Sequence, residues 1–194
     1  MNTHDTRQTL LQVGTNLINL HGFNATGLDA VLKTAEVPKG SFYHYFRSKE
    51  DFGLAVIDGF VERVEERLRA CLEDHEVSPL ERIRNFITDR MDWFVQNQSS
   101  QGCLLGNLGQ EMANSNPRIC ARLQEAFEMW QERLTTCLLE AQVQGELRKD
   151  LGVEQAAGFI LSGFQGSVLR AKLAHSPVPI QEFMDTLFAT VLRP

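Results

Sequence analysis

Two short stretches hold the side chains that could do chemistry. The first is PKGSFYHYFRSKEDF, residues 38–52. It runs four aromatic rings and a histidine together at 42–46, adds Phe52, and brackets them with Lys39, Arg47 and Lys49. Hydroxyls, an imidazole and ammonium groups beside flat rings suit contacts to phosphates and base edges. The second is SSQGCLLGNLGQEMANSNP, residues 99–117. Cys103 stands there just before a helical pattern that begins near Leu104. A thiol at a helix start feels the positive end of the dipole, which favours thiolate and hence reaction with electrophiles or oxidants. An ordinary buried cysteine is the competing explanation. Gly102, Gly106 and Gly109 in the same stretch let backbones approach closely.

Other chemistry finds no support. His44 and His21 could start a zinc site, but no further ligand follows at workable spacing. Cys71, Cys120 and Cys137 belong to no CxxC pair and are expected as free thiols acting as small apolar residues. Cys120 and Cys137 also point to different faces of one helix. No nucleophile elbow, metal motif or phosphate loop is present. The expectation is a protein that is not an enzyme and uses no cofactor or metal.

Helices must position both stretches. Apolar residues recur at spacings of three and four over 5–21, and HGF at 21–23 stops the run. A second helix is expected over 26–35, with Thr26 as its N-cap and Leu28, Val31, Leu32 and Ala35 on one face. EVPKGS at 36–41 is turn chemistry, and SFYHYF at 41–46 makes a short third helix. SKED at 48–51 is a capping pattern that opens a long helix to about Asp74. SPLE at 78–81 repeats the device, with Pro79 at the first helical position, for a helix to about Gln96. Past a polar loop at 97–102, helices are expected near 104–113, from Pro117 to about Gln144, and over 153–174 and 179–192. The class is all-α with about nine helices. The domains expected are 1–47, three short helices, and 48–194, a larger helical body.

The chain carries formal charge -6, yet residues 1–50 hold five basic and four acidic residues, so the remainder carries -7. Negative charge on the larger part confines phosphate contact to the N-terminal part. The longest apolar stretch, residues 156–164, is far short of the about 20 residues that span a membrane. No membrane partner is expected, and the N-terminus lacks the basic head and apolar core of a signal peptide, so the expected location is the cytoplasm.

Helix, short helix, turn and short helix is the outline of a helix-turn-helix module. On a wheel, Phe42, Tyr45 and Phe46 share one face, while Lys39, Gly40, Tyr43 and Arg47 lie toward another with Ser41 and His44 between. Phe42 and Phe46 are expected to pack on Leu28, Val31 and Leu32. Ser41 and the helix N-terminus suit phosphate, Tyr43 offers a hydroxyl, His44 a base-edge or phosphate contact, and Lys49 a charge. A core aromatic cluster with a solvated back fits the same wheel.

Residues 22–58, GFNATGLDAVLKTAEVPKGSFYHYFRSKEDFGLAVID, resemble the DNA-binding region of the TetR family of bacterial transcriptional regulators. Gly22–Phe23, Thr26, the string from Val37 to Phe46, and Lys49–Glu50 carry the match. The resemblance implies a homodimeric repressor of double-stranded operator DNA, in the bacterial cytoplasm and on the nucleoid when bound. It implies DNA contacts by Thr26, Lys39, Gly40, Ser41, Tyr43, His44, Tyr45 and Lys49, with Phe42 and Phe46 structural. Tyr45 can bury its ring and still present its hydroxyl. GCLLGNLGQE at 102–111 resembles, more narrowly, the TetR subgroup that controls N-ethylmaleimide reductase and related electrophile or acrylate detoxification genes. That likeness implies Cys103 as sensor and Lys172 as its partner, with electrophiles or oxidants as signal. Reversible binding of a hydrophobic inducer without thiol chemistry is the alternative. Small residues Gly158, Ser162, Gly163 and Gly166, with the stripe Phe183, Leu187 and Val191, resemble the family's dimer surface over about 153–192. Packing within one chain is the alternative there.

Overall fold

Local signals place most helix ends close to where the pattern puts them. The computed structural model describes residues 3–99 and 101–193, and no strand forms among them. Its helices are α1 (Thr3–His21), α2 (Leu28–Ala35), α3 (Lys39–Tyr45), α4 (Lys49–Leu72) and α5 (Pro79–Gln96). They continue as α6 (Leu104–Met112), α7 (Pro117–Val143), α8 (Val153–Ala174) and α9 (Val178–Thr186), which ends in a π-helical turn at Leu187–Val191. Ser100, inside the loop expected at 97–102, lies outside the described residues.

Several ends differ for identifiable reasons. Gly27, not Thr26, is the N-cap of α2. The Thr26 hydroxyl instead donates to the Gly22 carbonyl at 2.6 Å. Glu36 closes α2 in the left-handed region at φ 54°, with Val37 N–H bonded back to the Leu32 carbonyl at 3.0 Å. That motif stops α2 early enough for α3 to start at Lys39, so Gly40 sits inside the helix rather than in the turn. The Ser48 hydroxyl accepts the Asp51 N–H at 3.0 Å, as the capping pattern requires. Ser78 holds the equivalent position before α5, but its side chain caps nothing. The Leu80 N–H is taken by Glu146, at 3.1 Å.

The chain packs as two compact units. The first runs to Arg63 and adds Cys103–Glu125. Its centre is an aromatic trio: Phe42, Phe46 and Phe52, with ring centroids 5.0–5.4 Å apart. Val31 and Leu32 are buried as expected, whereas Leu28 is only half-buried. Phe52 is the partner that the wheel of α3 did not supply. The distant segment joins through polar contacts: Asn107 donates to Asn19 at 2.7 Å, Asn116 to Glu50 at 2.8 Å, and Arg122 pairs with Asp58 at 2.7 Å.

The second unit is Val64–Gly102 with Ala126–Pro194. Its core includes Ile83, Ile87, Leu138, Ala141, Ala157, Ile160 and Ile180. Arg82 is 2% exposed within that core. Its guanidinium donates to the carbonyls of Val77 (3.0 Å) and Leu72 (3.3 Å) and pairs with Glu140 at 2.7 Å. Arg82→Met keeps the length of the side chain but leaves two carbonyls and a carboxylate without their donor. The expected loss is about 2–4 kcal/mol, read from the midpoint of urea unfolding. An unchanged midpoint would remove this network from the stability of the unit.

Candidate DNA-contact surface and thiol site

The sequence of α3 sorts its rings by side. Phe42 is fully buried, Phe46 nearly so, and Tyr45 half-buried. Tyr43 is 54% exposed, standing edge-on to Phe42 at 5.4 Å. His44 is exposed, with its ring against Tyr45 at 5.1 Å. Lys39 and Gly40 are exposed and Ser41 is half-buried. Lys39 makes only a solvent-facing pair with Asp29, at 3.3 Å, which a phosphate can displace at small cost. No side chain caps the N-terminus of α3. Lys39, Gly40, Tyr43 and His44 therefore form one open face on a helix whose other face is anchored.

Gly40 is informative because nothing among the described residues requires it. A Cβ built there meets no atom within 4 Å, and its backbone is helical. A glycine in a helix costs roughly 0.5–1 kcal/mol relative to alanine. Packing among the described residues does not explain why that cost is carried, and the open space leaves the backbone there accessible to close approach from outside.

Thr26 and Lys49 hold the frame. Thr26 is buried, and its hydroxyl reaches the carbonyls of Gly22 and Leu17. Gly22 has φ 86°, the left-handed conformation that ends α1. The Lys49 ammonium donates to the Asn24 carbonyl at 3.3 Å and lies 4.7 Å from the Phe23 ring centroid. Burial pushes the Lys49 pKa down, and the Glu111 carboxylate opposes that shift. Glu111 was not singled out by the sequence. Its two oxygens accept the N–H groups of Phe23 (2.8 Å) and Asn24 (2.7 Å).

Cys103 is the N-cap of α6, half-buried, with its carbonyl accepting the Asn107 N–H at 3.0 Å. It belongs to the first unit, and Lys172, half-buried on the last turn of α8, to the second. The other thiols differ. Cys137 is buried, its thiol donates to the Pro79 carbonyl at 3.2 Å, and burial pushes its pKa up to about 12. Cys71 is half-buried, and burial, then the Asp89 charge, raises its pKa. Cys120 is half-buried on α7.

The expected α8–α9 stripes resolve into two kinds of contact. Phe183 lies against Gly163, and Leu187 is 1% exposed, so both serve packing within the unit. Phe159, Ser162, Gly166, Leu169 and Leu173 are exposed along α8 at spacings of three and four. No described helix is long and apolar enough to cross a membrane.

Known proteins share this fold. Residues 10–56 match the family described as bacterial regulatory proteins, tetR family. Residues 79–187 match a tetracyclin repressor-like C-terminal domain. The chain is 38% identical to the transcriptional regulator AcuR of Cereibacter sphaeroides, over 92% of this chain and 82% of that one. It is 33% identical to the HTH-type transcriptional repressor NemR of Escherichia coli, over 92% and 89%. The crystal structure of the reduced form of E. coli NemR superposes with a TM-score of 0.90 at 31% identity, covering 98% of this chain and 99% of that one.

Proposed function

The chain belongs to the TetR family of bacterial regulatory proteins and is a transcriptional regulator, not an enzyme, and on that premise we propose that it is a homodimeric repressor whose operator affinity is set by the state of Cys103. The observation that carries the DNA half is the open face of Lys39, Gly40, Tyr43 and His44 over the buried Phe42, Phe46 and Phe52. The DNA-binding domain is residues 1–47 and the regulatory and dimerisation domain 48–194. Ser41 and the hydroxyl of Tyr45 complete the contacts at the edges of the face. Thr26 and Lys49 enter through the loop they hold, with the Lys49 ammonium also adding positive charge beside α3. The exposed stripe of α8 is the surface for a second copy, since residues at these spacings form a helix–helix seam. Two-fold pairing sets two copies of α3 about 34 Å apart, one turn of DNA.

Cys103 supplies the signal. Its thiolate adds through sulfur to the electron-poor carbon of an activated alkene, and the adjacent carbon takes up a proton from water. Oxidants convert the same sulfur to sulfenic acid. Support comes from the placement of Cys103 at a helix start and from likeness to a repressor whose structure is described in a reduced form. One observation favours a second reading, a reversibly bound inducer. In the second unit the buried Trp130 Nε1 and Glu65 Oε2 have no hydrogen-bond partner among the described residues, so an inducer that brings an acceptor to the indole N–H would satisfy a donor the protein leaves open. Release of the Cys103→Ser protein by such a ligand, without thiol reagents, distinguishes this reading.

The DNA half is tested with the segment upstream of the protein's own gene. Binding is expected to be specific and to fall steeply with salt; binding indifferent to sequence would sink the repressor assignment. Gly40→Ala sharpens the test. It is expected to preserve or raise thermal stability, because alanine favours the helix by roughly 0.5–1 kcal/mol, while lowering operator affinity. Unchanged affinity would show that no DNA backbone approaches Gly40.

A further inference from the structure

Three residues stand at four-residue spacing on α6, and two of them, Asn107 and Glu111, link it to the module that carries α3. Cys103 caps the helix start, Asn107 donates to Asn19 of α1, and Glu111 accepts two backbone N–H groups of the loop after α1. All three lie in the first unit. Cys103 and Glu111 are about 12 Å apart along the helix at 1.5 Å per residue.

The loop held by Glu111 connects the rest of the module. Gly22 leaves space for the carboxylate: a Cβ there would stand 2.8 Å from Glu111 Oε2. Phe23, whose N–H it accepts, is buried. Asn24, whose N–H it also accepts, offers its carbonyl to Lys49. Lys49 opens α4, which carries Phe52, the ring against which Phe42 and Phe46 of α3 pack. A charged acceptor taking two amides makes the stronger class of hydrogen bond. The grip is also selective, since N–H groups need an acceptor on both arms and only a carboxylate supplies two.

We infer that Glu111 is a positioning residue for operator binding, and that it transmits modification of Cys103 to the DNA-contact face by loosening its hold on the Phe23 and Asn24 amides. The second half rests on the thiol reading proposed above; the first does not. α6 has only nine residues, so an adduct at its N-cap perturbs a large share of its length. A helix this short has little stability of its own to absorb the change.

The test uses the full-length protein and its upstream DNA, with N-ethylmaleimide as the probe. Glu111→Gln keeps the shape but replaces one acceptor by an NH2 group that faces an N–H. It is expected to weaken operator binding about tenfold or more, within the 5–150-fold range of coupling between sites. The ratio of affinities before and after N-ethylmaleimide is expected to shrink, although mass spectrometry finds the Cys103 adduct to the same extent as in wild type. Glu111→Asp, which keeps both oxygens, is expected to restore part of the affinity. Wild-type affinity in Glu111→Gln would overturn the positioning role, and an unchanged ratio the transmission. If wild type carries the adduct yet keeps its operator affinity, the thiol reading fails and transmission with it, while the affinity of Glu111→Gln still decides positioning. Should Glu111→Gln fail to fold, amide exchange on wild type decides. Faster exchange at Phe23 and Asn24 after modification is expected, and unchanged exchange under full adduct formation would overturn the inference.

Discussion

Tyr43→Ala is expected to lower operator affinity by about 10²–10⁴-fold while the protein stays folded, whereas Phe42→Ala, one residue earlier, is expected to destabilise the module itself. A hydrogen bond to a charged group such as a phosphate contributes about 1.5–3 kcal/mol. A homodimer loses it twice, so about 3–6 kcal/mol is at stake, and each 1.4 kcal/mol is a factor of about ten. Tyr43 is 54% exposed and meets only the edge of Phe42, so the cost in stability should stay near 0.5 kcal/mol. Phe42 is 0% exposed and touches the rings of Phe46 and Phe52. Truncating it leaves a cavity in the aromatic centre of the first unit, at about 3–5 kcal/mol, a large fraction of the stability of a small module. Operator titration and thermal melting of the two variants, side by side, check both claims. If Tyr43→Ala melts early, the open face is part of the core and the DNA assignment of α3 loses its main support.

Cys103→Ser is expected to abolish release of DNA by N-ethylmaleimide or hypochlorite and to leave everything else intact. Serine is close in size to cysteine and is a preferred N-cap, so α6 keeps its start. Wild type is expected to lose about 5–150-fold in operator affinity on modification; the variant should lose none. The other thiols make the contrast clean. Cys137, with a pKa of about 12 and its sulfur against the Pro79 carbonyl, has a thiolate fraction on the order of 10⁻⁵ to 10⁻⁴ near neutral pH. Its pKa is raised, so lowering the pH suppresses the thiolate further and only strongly alkaline solution releases it. The raised pKa of Cys71 works in the same direction. Mass spectrometry after brief treatment should therefore find the adduct on Cys103 while Cys71 and Cys137 remain unmodified. Equal release from Cys103→Ser, lost instead in Cys120→Ser, would move the sensing role to Cys120.

The sequence by itself determined the all-helical class, most helix ends to within two residues, the two-sided character of α3 and the place of Cys103 just before α6. Each follows from signals that act within a turn or so of chain: apolar spacing of three and four, Ser48 reaching the Asp51 N–H, proline and glycine at the ends. The tertiary structure decided which distant group arrives at each site. Ser78 stands where a cap should, but Glu146 takes the nearby N–H from 66 residues away. Arg82 reads as one more charge on an amphipathic helix until Glu140 and two carbonyls close around it. Thr26 reads as a cap that is free to face DNA, yet the turn of its own loop brings the Gly22 carbonyl within 2.6 Å of its hydroxyl. Glu111 carries no local mark, because its meaning lies in two amides 87 and 88 residues earlier. A buried N–H or guanidinium must find a partner, but the chemistry of its neighbours in sequence does not say which one; only the packing of α6 beside α1 does.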